Sequence, residues 1–324
     1  MNGRLLGLAA VAILLLGAGV YWFAPRRAIP SGPGSAASHD TNRVPAGGHD
    51  GSSFIPGMRY RPHALPIDQG GFKAAIFAVQ PWKPGATLQE IAEHWGKPGY
   101  RGVELVERQL ADPKLTRNGR FASLYLKATL LNYEGEAERA YGVLQELRSL
   151  VESDRLLAQS ALGTVIYLQG VTALRRGENE NCLMCQGDSA CLLPIAPSAV
   201  HTNPIGSRLA IRHFMEYLEQ FPDNLEVRWL LNLAHMTLAE YPDKVDARFR
   251  LDLSRFFHSE FDIGAFREVS HLVGLGDRMN QSGGAIMDDF DNDGLLDIVV
   301  TCHDPTQNMA FYHNEGDGTF ADKT

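Results

Sequence analysis

Four aspartates near the end of the sequence have the spacing of a metal-binding loop. They occupy loop positions one, three, five and nine: Asp289, Asp291, Asp293 and Asp297. Gly294 lies between the third and the fourth of them, where a tight turn brings ligands together. Because carboxylate and carbonyl oxygens are the ligands that Ca²⁺ prefers, the sequence predicts a calcium site formed by these four side chains and the backbone carbonyl of Leu295.

The nearest alternative is an EF-hand, which needs a glutamate at loop position twelve and a helix on each side. Position twelve is Val300 in this sequence. The flanking segments 285–287 and 296–300 are short and apolar and contain β-branched residues, as strands do. We therefore predict that the loop joins two strands. A solvated acidic turn without an ion is the simpler alternative, but the combination of a turn glycine with four spaced aspartates disfavours it.

A second group of reactive side chains lies in the middle of the sequence, at Cys182, Cys185 and Cys191. Covalent haem attachment requires a histidine after a Cys-x-x-Cys pair, and Gln186 stands there instead. Three interpretations remain: a structural disulfide, a zinc site completed by His201, or a redox pair. The last two describe an alternative function, that of a zinc- or thiol-dependent enzyme. Export into an oxidising compartment would favour the disulfide.

Catalytic motifs are absent from the sequence: it has no Gly-x-Ser-x-Gly turn, no His-Glu-x-x-His helix and no phosphate- or dinucleotide-binding glycine loop. A saturated calcium loop is normally structural. Of the scattered histidines, we expect His235 in a helical core, His303 and His313 on the surface, and His63 solvated beside a linker. We therefore predict that the protein is not an enzyme.

The N-terminal segment indicates where such a calcium site would operate. Residues 5–24 form an uncharged apolar stretch long enough to cross a bilayer, with Tyr21 and Trp22 as interfacial aromatics. A cleaved signal peptide is the alternative. We predict that residues 1–27 are a signal-anchor transmembrane helix. Because calcium is abundant outside the cytosol, we expect the bulk of the chain to be periplasmic or extracellular.

Between the two ends, composition changes from a linker to helices. Residues 28–57 are rich in Pro, Gly and Ser and predict a flexible spacer. Residues 58–255 predict a helical domain, interrupted by a cysteine-containing insertion at 178–206. Thr87 and Glu90 have capping-box spacing at the start of one helix.

Apolar residues recur at helical spacing in this domain, for example at Ala140, Leu144, Leu147 and Val151. The polar turn at 133–140 and Pro222 each separate two such segments, in the manner of tetratricopeptide hairpins. We predict an α-solenoid of tetratricopeptide-like helical hairpins, although a 34-residue period is not kept. Such arrays commonly bind a protein partner, which is an inference from architecture alone.

The C-terminal motifs resemble a known family. Residues 283–297, followed by 311–320, resemble one repeat of the FG-GAP/VCBS propellers, and more narrowly the cartilage acidic protein group that carries ASPIC/UnbV domains. The resemblance implies that residues 262–324 form the first blade of an extracellular, integrin-like β-propeller and that the aspartate loop holds calcium. A propeller needs about four to eight blades, so we expect a C-terminally truncated fragment. The expected fold class is α+β multidomain.

The same resemblance bears on the cysteines. In bacterial relatives that join tetratricopeptide helices to such propellers, a comparable insertion carries two cysteines nine residues apart. It implies a disulfide between Cys182 and Cys191, while Cys185 departs from the pattern.

Charge excludes one class of partner. The sequence has 38 acidic and 30 basic residues and a net charge of −8, with scattered basic residues, so we predict no nucleic-acid binding. The expected function is that of a membrane-anchored, extracytoplasmic, calcium-binding interaction or adhesion protein. Its protein partners would bind the helical solenoid and the completed propeller.

Overall fold

The computed structural model describes residues 53–63, 71–79, 83–181, 193, 195–254, 261, 269–276, 283–302 and 307–324. The predicted membrane helix at 1–27, most of the predicted spacer and the cysteines at 182, 185 and 191 lie outside these residues. His303 lies outside them as well.

The N-terminal part of the described chain is helical. Its α-helices, in chain order, are α1 Phe72–Val79, α2 Leu88–Trp95, α3 Pro98–Leu110, α4 Arg117–Tyr133, α5 Ala137–Glu152, α6 Arg155–Asn181, α7 Ile205–Gln220 and α8 Leu225–Met236. Each helix from α3 to α7 packs against the next one in sequence, and α1 packs against α3 and α4. The architecture is therefore a series of helical hairpins.

Local sequence signals set several helix ends. The predicted capping box is confirmed, because the Thr87 hydroxyl accepts from the Glu90 amide and the Glu90 carboxylate accepts from the Thr87 amide. Asn224 caps α8 by accepting from the Val227 amide. Between α4 and α5, Gly135 takes a φ of +79°, which glycine adopts without steric cost. The helix boundaries predicted at the 133–140 turn and at Pro222 are confirmed.

Helix α6 forms the centre of the helical core. Its apolar side chains Val165, Ile166 and Tyr167 have no exposed surface, and α5 and α7 cover it on its two sides. It is the one helix of the described residues that is long and apolar enough to cross a membrane, and 72% of its most apolar window is buried inside the protein. We therefore assign α6 as a core helix.

An extended segment, residues 53–63, crosses the helices and is called the strap below. Phe54 is 7% exposed and packs edge-to-face against Phe221 at a centroid distance of 5.9 Å. The backbone amide of Ser53 donates to Glu216 in α7. The predicted spacer, 28–57, is thus wrong at its C-terminal end, because burial of Phe54 fixes that end to the helices.

The C-terminal part is a four-stranded antiparallel sheet in the order β1-β2-β3-β4. Its strands are β1 Ala285–Asp288, β2 Asp297–Val300, β3 Ala310–Asn314 and β4 Phe320–Asp322. Ala285 pairs with Val300, Ile298 with Tyr312. The predicted strands on both sides of the aspartate loop are confirmed. A mostly helical region followed by a small antiparallel sheet agrees with the expected α+β class and with the start of a blade.

Candidate metal centre

The aspartate loop connects β1 to β2 and is tightly folded by its own side chains. The Asp289 carboxylate accepts from the amides of Asp293 at 3.1 Å and Gly294 at 3.0 Å. Gly294 has a φ of +87°, and Asn292 also has a left-handed φ of +63°. Gly294 therefore provides the tight turn that its position in the sequence predicts.

Three of the four predicted aspartates converge. Ligand atoms of Asp289, Asp291 and Asp297 lie within 4.8 Å of one another. Asp297, the first residue of β2, has no exposed surface. Its carboxylate accepts from the backbone amides of Asn314 at 2.9 Å and Phe290 at 3.3 Å. The sheet therefore holds one buried carboxylate, and the loop brings the half-buried carboxylate of Asp289 and the exposed one of Asp291 to it.

Asp293 is grouped differently from the other three. Its ligand atom lies within 4.8 Å of those of Asp291 and His313, and these three residues form a second group that shares Asp291 with the first. The amide of Leu295 donates to the Asp293 carboxylate at 2.8 Å. The ligand roles of Asp293 and of the Leu295 carbonyl remain predictions.

His313 is the functional neighbour that the sequence analysis missed. We expected a surface residue, but its Nδ1 atom lies 3.1 Å from Asp291 Oδ2 and 3.3 Å from Asp297 Oδ1. The reason is the strand register: Ile298 pairs with Tyr312, so the next pair along places His313 opposite Asp297. The register was the missing information, because spacing within the loop says nothing about β3.

Asn314 connects the loop to the hairpin between β3 and β4. Its side-chain amide donates to the carbonyl of Leu296 at 3.0 Å, and its side-chain oxygen accepts from the amide of Gly316 at 3.0 Å. The backbone amide of Asn314 also donates to Asp297. These three hydrogen bonds fix β2, β3 and the β3–β4 turn relative to the carboxylates.

The donor set fits a calcium ion. Two carboxylates about 4 Å apart repel by about 1 kcal/mol in water and by about 4 kcal/mol at an effective dielectric constant of about 20. The cluster contains three, and one of them is buried. A divalent cation that prefers several oxygen ligands in flexible geometry would offset this repulsion. His313 Nδ1 lies beside two of these carboxylates, so this ring would fit beside such an ion as an outer hydrogen-bond partner.

The second predicted site is described at one residue only. His201 is 6% exposed, its amide donates to the carbonyl of Thr237 at 2.8 Å, and its Nδ1 atom lies 3.0 Å from Ser207 Oγ. Burial lowers the pKa of the His201 imidazole. Because the cysteines at 182, 185 and 191 lie outside the described residues, the disulfide, zinc and redox interpretations all remain predictions.

Comparison with protein families places the candidate site within a repeat. Residues 289–324 match the FG-GAP-like repeat, a span that runs from the first loop aspartate through β4. Comparisons with curated proteins and with solved structures gave no match. The C-terminal region therefore carries an FG-GAP-like repeat, while the ASPIC/UnbV type and the tetratricopeptide type of the helices remain expectations.

Proposed function

We propose that this chain is a membrane-anchored, extracytoplasmic, calcium-binding interaction or adhesion protein without enzymatic activity. One observation carries the proposal: Asp289, Asp291 and Asp297 converge in the β1–β2 loop of an FG-GAP-like repeat. Such repeats are typical of extracellular domains, where calcium is plentiful enough to fill a weak site.

The proposed ligands divide into two sets. Asp289, Asp291 and Asp297 would supply the carboxylates that already converge, and Asp293 and the Leu295 carbonyl would complete the shell. A calcium ion bound there would neutralise the clustered charge. Two residues would position the ligands: the buried carboxylate of Asp297 attaches the site to the sheet, and Asn314 connects β2 with β3 beside it. The site's role is therefore to order the blade.

The proposed partners are proteins. The helical hairpins and the propeller that the first blade would begin offer the binding surfaces, and residues 1–27 would hold the chain at the membrane. The support for this part is the FG-GAP-like repeat and the series of packed helical hairpins. Chemistry at the aspartate loop is not part of the proposal, because carboxylates that surround a calcium ion leave it a structural role.

Isothermal titration calorimetry with Ca²⁺ tests the proposed site. We expect the wild-type chain to bind calcium and Asp291→Asn to bind it at least about tenfold more weakly, since a ligand charge is lost. Asp317→Asn is the matched control, because Asp317 is an exposed aspartate of the β3–β4 turn that bonds Thr319 and lies outside both carboxylate groups. It should bind as the wild type does. Absence of binding by the wild type, or equal affinity in Asp291→Asn, would contradict the proposal.

A further inference from the structure

A buried histidine, His63, attaches the C-terminal end of the strap to the helices. The sequence analysis expected His63 to be solvated, but it is 4% exposed and lies among three helices. Its ring stacks on Tyr167 of α6 at a centroid distance of 3.7 Å and an angle of 7°. Its Nδ1 atom lies 2.6 Å from the Tyr217 hydroxyl of α7, and its Nε2 atom lies 3.2 Å from a carboxylate oxygen of Glu226 in α8.

The hydrogen-bond partners of Tyr217 determine which nitrogen of the His63 ring carries the proton. The Tyr217 hydroxyl oxygen accepts from the backbone amide of His63 at 3.3 Å and from the side-chain amide of Asn224 at 3.4 Å. A hydroxyl oxygen has two acceptor positions and one proton, so its proton points at His63 Nδ1. Nδ1 is therefore the acceptor, and the proton of the neutral ring lies on Nε2, which donates to Glu226. The second carboxylate oxygen of Glu226 accepts from the Tyr167 hydroxyl.

A second proton on this ring has no acceptor at Nδ1. It would point at a hydroxyl oxygen whose two acceptor positions are already used, and it would place a charge among buried rings. Among the described residues, Tyr167, Tyr217 and Glu226 are titratable groups in contact with the imidazole, one from each helix. Of these, the Glu226 carboxylate is the one that favours the charged ring.

The balance of these effects is against the charged ring. Burial lowers the pKa of His63 more than the hydrogen bond and the charge of Glu226 raise it. Burial also raises the pKa of Tyr217 to about 12, so this hydroxyl keeps the proton that it donates. The neutral state is therefore the one that fits the folded strap.

We propose that His63 is an acid-sensitive latch: its neutral ring fastens the C-terminal end of the strap to α6, α7 and α8, and its protonation loosens that end. The other end stays in place, because Phe54 remains in its apolar contact with Phe221 and the Ser53 amide remains bonded to Glu216. Because the folded pKa of the latch lies below that of a free histidine, about 6.5, the contribution of the latch to stability is present above pH 6.5 and is lost as the pH falls.

Amide hydrogen exchange of the full-length chain tests the latch. The readout is the protection of two strap amides, that of Arg61, which donates to the Gln159 carbonyl at 2.9 Å, and that of His63. After correction for intrinsic exchange rates, the protection of both amides should be lower at pH 5.0 than at pH 7.5. The expected loss is about tenfold for each pH unit by which the pKa of the latched ring lies below that of a free histidine. The Ser53 amide should keep its protection.

Two variants separate the latch from general acid effects. His63→Asn retains an acceptor for the Tyr217 hydroxyl but binds no proton, so its strap protection should be the same at both pH values. His235→Asn is the matched control, since His235 is also a buried histidine but lies in α8 away from the strap, and its strap should still loosen in acid. Loosening that persists in His63→Asn, or its absence in the wild type, would overturn the proposal.

If His63→Asn detaches the strap at every pH, an NMR titration of the His63 ring in the wild-type protein tests the proposal instead. The His63 Cε1 resonance, assigned through its contact with the Tyr167 ring, should titrate below pH 6.5. A midpoint at or above 6.5 would overturn the latch, because proton binding would then leave the folded strap unchanged or strengthen it.

Discussion

Arg148 joins three helices and the strap. From α5 it forms two hydrogen bonds to Glu216 of α7, at 2.6 and 3.0 Å, and it also donates to Gln169 of α6 and to Ser53 of the strap. Only 16% of its side chain and 13% of that of Glu216 are exposed. Burial alone would raise the pKa of Glu216, but the neighbouring His213 ring and the hydrogen bonds and charge of Arg148 outweigh it and lower that pKa to about 2.

We expect Arg148→Ala to destabilise the helical region by about 3–5 kcal/mol, because it leaves the Glu216 carboxylate buried without its cation. Arg139→Ala is the matched control: its pair with Glu136, at 3.7 Å, has an arginine side chain that is 53% exposed, and its loss should cost less than about 1 kcal/mol. Urea denaturation at pH 7 measures both changes. Equal losses in the two variants would show that the buried pair contributes no more than the surface pair.

Helices α6 and α7 approach each other closely at two glycines, Gly177 and Gly206. A Cβ atom on Gly206 would lie 2.3 Å from the backbone nitrogen of Gly177 and 2.7 Å from the carbonyl oxygen of Ala173. Both contacts are with backbone atoms, which cannot move aside as a flexible side chain can. The next residue of α7, Ser207, forms a side-chain hydrogen bond with His201 beside Gly177.

Gly206→Ala should therefore lower the free energy of unfolding by about 1–3 kcal/mol, since the added methyl group separates two packed backbones. Gly142→Ala tests the opposite case within the same fold. Gly142 is exposed in α5, and a Cβ atom there would meet nothing within 4 Å. This change should stabilise the protein by about 0.5–1 kcal/mol through helix propensity. Thermal or urea unfolding of both variants checks the signs, and stabilisation by Gly206→Ala would contradict the packing described above.

The elements that could be predicted from the sequence are those set by local signals. The capping box at Thr87, the strands beside the aspartate loop and the turn at Gly294 depend on neighbours in sequence. His63 and His313 were misplaced because their surroundings are set by distant residues: His63 meets α7 across 154 positions, and His313 meets Asp297 through strand register. Composition shows that His63 follows a Pro-, Gly- and Ser-rich segment, but it does not show that residues 53–63 pack against the helices.

Among its described residues, the helical region contains four buried histidines whose pKa values are all lowered. Burial is the largest cause that lowers the pKa of each: His63, His201, His213 and His235. For a histidine whose folded pKa lies below the unfolded value of about 6.5, the unfolded state binds more protons in the window between the two. The contribution of these neutral histidines to the free energy of unfolding is therefore fully present above pH 6.5 and is lost as the pH falls below 6.5.

We expect the free energy of unfolding, measured with urea, to be nearly constant from pH 8 to 7 and to decrease from pH 6.5 to 5. The depressed pKa of Glu216 adds a further loss, which starts only near pH 4.5 and continues towards about 2. The pH range of the first loss thus identifies histidine as its source. A stability that increases between pH 6.5 and 5 would contradict the assigned neutral state of these rings.

At the scale of the whole molecule, periodicity predicted a helical region followed by strands, and the structure confirms that order. Composition could not distinguish a core helix from a membrane helix, since α6 satisfies the same criteria of length and hydropathy while it is mostly buried by its neighbours. Which apolar helix is covered by protein depends on α5 and α7, and single-segment hydropathy does not contain that information.

The strap also sets an order of events during synthesis. His63 is synthesised long before Tyr217, its partner 154 residues later, and at about 5–20 residues per second this delay is roughly 8–30 s. During that interval Phe54 has no pocket, because Phe221 has not yet been made. The strap therefore docks only after α7 and Phe221 have been translated, and the contact of His63 with Glu226 requires α8 as well.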